Sequence, residues 1–130
     1  GVDFVISSLD IMRGVEILVP KIQSMKMTDL ATAMAPDLPI RVIGIRPGEK
    51  LHEMMISADD ARHVIDLGDR YAIEPAFVEF SRESFRGDFP SVEDGFSYAS
   101  DTNSEWLSHK GLLSLLNDTG VETVATAGRA

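Results

Sequence analysis

The sequence predicts an α/β fold. Two observations lead there. Apolar stripes of helical period and short β-branched runs alternate through the first half in the order helix, strand, helix, strand. The second half then carries hairpin punctuation and closes on a capped amphipathic helix. Alternation of this kind implies crossover connections and a parallel sheet. Two strands are too few to stand alone, so the expectation is the tail of a larger sheet.

The elements follow in order. Val2, Val5, Leu9 and Met12 recur at helical spacing and predict a helix over 2–12, with Arg13-Gly14 as its stop. Asp3 is only a weak cap, so the sequence reads as cut at its front. Val15 to Pro20 is a nearly continuous apolar run, the pattern of a strand buried in a parallel sheet. Leu30, Ala31, Met34 and Ala35 mark a short helix from about Met27 that Pro36 and Pro39 terminate.

The stretch from Ile40 to Glu53 organises the rest. Val42, Ile43 and Ile45 predict a strand. Arg46-Pro47-Gly48-Glu49 suits a type II turn, because Pro47 presets φ and Gly48 accepts a positive one. Such a turn brings a guanidinium and a carboxylate out side by side, chemistry suited to gripping a diphosphate and a diol. On this local pattern alone, a surface salt bridge worth about 0–1 kcal/mol is the favoured reading of the pair. Leu51, Met54 and Met55 predict a short helix over 49–56.

Ser57 with Asp60 forms a capping-box variant for a following helix. Val64–Leu67 and Arg70–Ile73 flank Gly68-Asp69 as a hairpin. From Glu74 to Gly95, Phe77, Phe80, Phe85 and Phe89 stand among Glu79, Arg82, Glu83 and Arg86 without a sustained period, which predicts loop packed by its aromatics. Residues 95–103 predict an extended piece, Ser108 caps a final helix through Leu116, and 119–130 is expected to be a disordered tail.

Composition narrows the function classes. The chain of 130 residues has 44% hydrophobic and 25% charged residues, the balance of a globular protein. A formal charge of −9 argues against nucleic acid and anionic membrane as partners. No cysteine is present, and no apolar run approaches the ~20 residues of a membrane span, so a cytoplasmic location is expected.

Catalytic signatures are missing from this stretch. No Gly-x-Gly-x-x-Gly follows a strand, and neither Tyr71 nor Tyr98 has a lysine four positions on. His52-Glu53 lacks a second histidine at helical spacing, and His109 beside Ser108 has no third member to orient it. The expectation is therefore no catalytic, cofactor-binding or metal-ligating residue in the chain. Trp106 and the methionines at 25, 27, 34, 54 and 55 are expected to fill core.

Three motifs carry a resemblance: Val-Pro-Lys-Ile-x-Ser-Met-Lys-x-Thr-Asp-Leu-Ala (19–31), Ile-Gly-Ile-Arg-Pro-Gly-Glu-Lys-Leu-His-Glu (43–53) and Gly-Phe-Ser-Tyr-x-Ser-Asp-Thr-Asn-x-Glu-Trp-Leu-Ser (95–108). In this order, residues 1 to about 118 resemble the C-terminal part of the configuration-inverting UDP-N-acetylglucosamine 4,6-dehydratases, extended short-chain dehydrogenases/reductases of polysaccharide biosynthesis. The resemblance implies the terminal part of a Rossmann-type parallel sheet plus a small α+β substrate-binding domain. It implies Arg46 on the UDP diphosphate, Glu49 on the ribose and Lys21 as a weaker contact in the nucleotide pocket. It also implies NADP and a homo-oligomer in the complete enzyme, with hydride removed from C4 of the sugar and returned to C6, and inactivity of this fragment alone. A related UDP-sugar epimerase shares the Arg-Pro-Gly-Glu turn. A freestanding binding or interaction module without catalysis is the alternative of a different class.

Overall fold

The computed structural model describes residues 1–77 and 83–120. It is an α/β fold whose described residues divide into two compact units. One comprises 1–22 and 54–102, the other 23–53 and 103 onward.

In the first unit α1 (Val2–Ile11) precedes β1 (Ile17–Pro20), which pairs antiparallel with β4 (Arg70–Ile73). Strand β3 (Val64–Asp66) pairs antiparallel with the other edge of β4, giving the order β1-β4-β3. The hairpin between β3 and β4 turns at Gly68, whose φ of 98° only glycine adopts freely. A second ribbon joins β2 (Met54–Ile56) to β5 (Tyr98–Ala99), also antiparallel.

The three-stranded sheet is covered on both faces. Val19 and Val64 pack with Ile56 and Tyr98 on one side, while Ile65 and Ala72 pack with Phe85 on the other. Neighbouring residues on β1 and β3 thus enter different cores, as the pleat requires. Glu74 holds Phe85 in place by accepting hydrogen bonds from Phe85 N and Ser84 Oγ at 2.9 Å.

In the second unit α2 (Met27–Met34) packs on α3 (His109–Asp118) through Ala33, Leu112 and Leu116. Ser108 caps α3 by accepting a hydrogen bond from Gly111 N at 3.1 Å. The chain entering α2 is laced to the chain entering α3: Ser24 N donates to Glu105 O and Leu107 N to Ser24 O, each at 2.9 Å. The third motif therefore has a structural role, since Asn103 Nδ2 donates to Ser24 Oγ and Asn103 O accepts from the Trp106 indole.

Several expectations are corrected. Of the run 15–20 only Ile17–Pro20 forms a strand, and it is an antiparallel one. Burial on both sheet faces erases polar alternation whichever way the neighbour runs, and no Rossmann-type parallel sheet is found among the described residues. Residues 42–45 form no strand, because Gly44 sits at φ 82° and no described residue pairs with them. Residues 49–56 form no helix, and Met54–Ile56 pairs with β5 instead. After the Ser57–Asp60 capping contact, in which Ser57 Oγ donates to Asp60 Oδ2 at 2.6 Å, only a 3-10 turn follows (Ala61–His63).

Trp106 and Met25, Met27, Met54 and Met55 are exposed, and only Met34 joins a core. Phe77 is exposed as well, whereas Phe85 is buried. Phe80, Glu79, Arg82 and the tail from residue 121 lie outside the described residues. Among the described residues no helix is long and apolar enough to cross a membrane.

Candidate functional site

The Arg46–Glu49 turn forms as its residue types dictate. Glu49 N donates to Arg46 O at 3.0 Å, and Gly48 has φ 87°, the positive value of the second central position in a type II turn. A Cβ at Gly48 would meet no atom within 4 Å, so the demand for glycine is conformational rather than steric.

The turn brings the two candidate side chains together by having each hold the other. Arg46 Nε donates to Glu49 Oε1 at 2.5 Å, and Glu49 Oε2 accepts from Arg46 N at 2.7 Å. Both carboxylate oxygens are thus committed to one residue. The guanidinium, 75% exposed, retains its NH1 group and one NH2 hydrogen for a further acceptor. Beside the turn lies a concavity of about 700 Å³, lined by the run Val42–Ile45 and by Gly48, Glu49, Lys50, Leu51 and Glu53. Two of these lining residues, Lys50 and Glu53, form a loose ion pair at 4.0 Å.

The hydrogen bond from Arg46 N, and after it those from the Arg46 side chain, hold the Glu49 carboxyl below its ordinary value, against a smaller opposing effect of desolvation. A folded-state value below the unfolded one fixes the sign. The contribution of the carboxylate is complete above the unfolded pKa and is lost as pH falls through the lowered folded one. An NMR titration of the Arg46 amide is therefore expected to stay flat from neutrality through the usual glutamate range and to move only below it. A midpoint at or above the usual glutamate value would show that the pair does not form in solution.

Lys21, the third sequence candidate, belongs to the other compact unit. It follows β1, with its ammonium 2.6 Å from Asp66 Oδ1 and 4.5 Å from the centroid of the Tyr71 ring. The sequence carries no signal for Asp66 or Tyr71 as its neighbours, because they reach it only through strand pairing across β4. Among the described residues no group of three or more histidines and carboxylates could hold a metal ion. Among the described residues no glycine-rich turn, the device that seats a dinucleotide pyrophosphate, opens α1, α2 or α3.

Residues 1–75 match a family described as polysaccharide biosynthesis protein, and the chain belongs to that family. Over a 125-residue alignment that covers 92% of this chain, it is 50% identical to a UDP-N-acetylglucosamine 4,6-dehydratase (inverting) of Campylobacter jejuni serotype O:2. It is 47% identical over the same length to a protein of the same name from serotype O:23/36. The chain spans 37% of the length of each. Among solved structures, Pen from Bacillus thuringiensis superposes with a TM-score of 0.68, covering 88% of this chain and 35% of that one. At 21% identity that likeness shows the fold alone.

Proposed function

We propose that this chain is the UDP-sugar-binding, C-terminal portion of an NADP-dependent, inverting UDP-N-acetylglucosamine 4,6-dehydratase, a cytoplasmic lyase of bacterial surface-sugar biosynthesis. The observation that carries this reading is the 125-residue match, at 50% identity, to a protein named for that reaction. In the complete enzyme, a homo-oligomer in this reading, the remaining polypeptide supplies the Rossmann-type sheet, the NADP site and the catalytic pair. This chain, without them, is inactive alone.

Within that division of labour, residues 1–118 form the substrate end. Arg46 presents its open NH1 edge to the diphosphate, and Glu49 accepts from the ribose hydroxyls. Binding then exchanges the Arg46–Glu49 pair for contacts to the nucleotide. The exchange is inexpensive because an exposed ion pair is worth only about 0–1 kcal/mol.

Calorimetric titration of UDP into the chain, beside Arg46→Ala, tests this assignment. A lost charge-assisted contact to a phosphate is worth about 1.5–3 kcal/mol, so affinity is expected to fall by about 10- to 100-fold. If the chain alone binds no UDP, the comparison moves to the position aligned with Arg46 in the complete Campylobacter jejuni protein. Unchanged affinity there returns Arg46 and Glu49 to the role of a surface salt bridge. In the same series, weakened binding by Lys21→Ala assigns Lys21 to the nucleotide, whereas unchanged binding leaves it a structural role beside Asp66 and Tyr71.

A further inference from the structure

The run Ile40-Arg41-Val42-Ile43-Gly44-Ile45 has the composition of a strand and none of a strand's bonds. Its four branched aliphatic side chains are 53%, 87%, 73% and 58% exposed at positions 40, 42, 43 and 45. No backbone hydrogen bond joins this run to any other described residue. Elsewhere in the chain, stretches of the same character are paired and half-buried or better, as at Val64–Asp66 and Arg70–Ile73. Unpaired N–H and C=O groups beside exposed β-branched side chains form a template for an added strand.

A second copy of this chain is a poor occupant. In the antiparallel register that pairs Val42 with Ile45, Arg41 of each copy stands opposite Arg46 of the other. A parallel in-register pair sets each arginine against itself. Like charges directly opposite destabilise a ladder, and two chains of formal charge −9 repel before they meet. A further source of a strand is polypeptide beyond the matched region. The relatives match over only 37% of their length, and the match covers 92% of this chain.

We infer that in a polypeptide of the relatives' length, residues 40–45 pair with a β-strand from outside the matched region, which covers Val42, Ile43 and Ile45. Gly44, now at φ 82°, is the residue that permits the change, since glycine moves between positive and extended φ without steric cost. The paired run leads directly into Arg46, so strand addition would also fix one arm of the turn. Pairing itself does not depend on what the turn binds.

Amide hydrogen exchange tests the inference in two proteins as they exist, this chain and the complete Campylobacter jejuni O:2 relative. In this chain, amides 41–45 are expected to exchange at near-unprotected rates over a tenfold range of concentration. The aligned amides of the relative are expected to exchange at least ~100-fold more slowly. Three results would overturn the proposal. Equally fast exchange in the relative would show that no strand is added. Protection in this chain that grows with concentration would identify a second copy as the occupant. Protection independent of concentration would place the partner strand within this chain. No nucleotide enters the experiment, so its failure is distinct from failure of the UDP assignment.

Discussion

Ile65→Ala is expected to lower the unfolding free energy by about 3–4 kcal/mol, within the range for truncating a buried aliphatic side chain. Ile65 is 0% exposed and packs with Ala72 and Phe85 on the sheet face that Leu18 and Leu67 border. Its neighbours are tied down. Ala72 lies opposite it in the β3–β4 ladder, and Phe85 is anchored by the Glu74 carboxylate. The site therefore cannot collapse onto the void, and the cavity cost adds to the lost transfer energy. Urea denaturation followed by circular dichroism measures the difference. Ile43→Ala serves as the control, since its exposed side chain predicts a change within about 0.5 kcal/mol. Equal effects of the two substitutions would contradict the assignment of the core.

Arg70→Ala is expected to cost about 2–3 kcal/mol and to release α1 from the sheet. Arg70 is 6% exposed although charged. Its NH1 donates to Ser8 Oγ and its NH2 to Ser7 Oγ, both at 2.9 Å, and its guanidinium lies 4.7 Å from the Phe4 ring centroid. Asp69 completes the arrangement, accepting from Nε at 3.0 Å and from NH2 at 2.7 Å. The hydrogen bonds between the two lower the pKa of Asp69 and raise that of Arg70.

The dependence of α1 on this one side chain follows from its own burial. Ser8 is its buried residue, while Val2, Val5, Ile6 and Leu9 are exposed, so apolar packing contributes little to holding the helix. Exchange of the α1 amides should accelerate more than that of β3 and β4 in the variant. Arg70→Lys is expected to recover less than half of the loss, because one ammonium cannot reach both serines and Asp69 in the planar fork geometry of arginine. Uniform acceleration across the first unit would show global destabilisation rather than release of α1.

The features legible in the sequence are those whose bonds close within a few residues. Gly68-Asp69 marks the hairpin, Ser108 caps α3 through Gly111 N, and Pro47-Gly48 makes the turn that brings Arg46 to Glu49. The candidate site was legible to the same extent. Its residue types and their adjacency follow from four consecutive positions, but their mutual pairing does not. Where the reading failed, a nonlocal contact decided. Val42, Ile43 and Ile45 have strand composition without a strand to join among the described residues, and Met54–Ile56 left a helical pattern to pair with β5. Trp106 uses its indole on the nearby Asn103 carbonyl instead of entering a core.

The sequence by itself determined the α/β class, the positions of α1, α2 and α3, the 46–49 turn and the residue types of Arg46 and Glu49 on it, but it also predicted helices over 49–56 and after Ser57 that do not form. Only the tertiary structure decided that Ile17 meets Ile73 in an antiparallel ladder, that both faces of the sheet are buried, and that Lys21 lies against Asp66 and Tyr71. The physical reason is range. Caps and turns are set by hydrogen bonds within about four residues of chain. Strand direction and partner choice depend on segments far apart in sequence, where an apolar run looks the same whichever neighbour covers it.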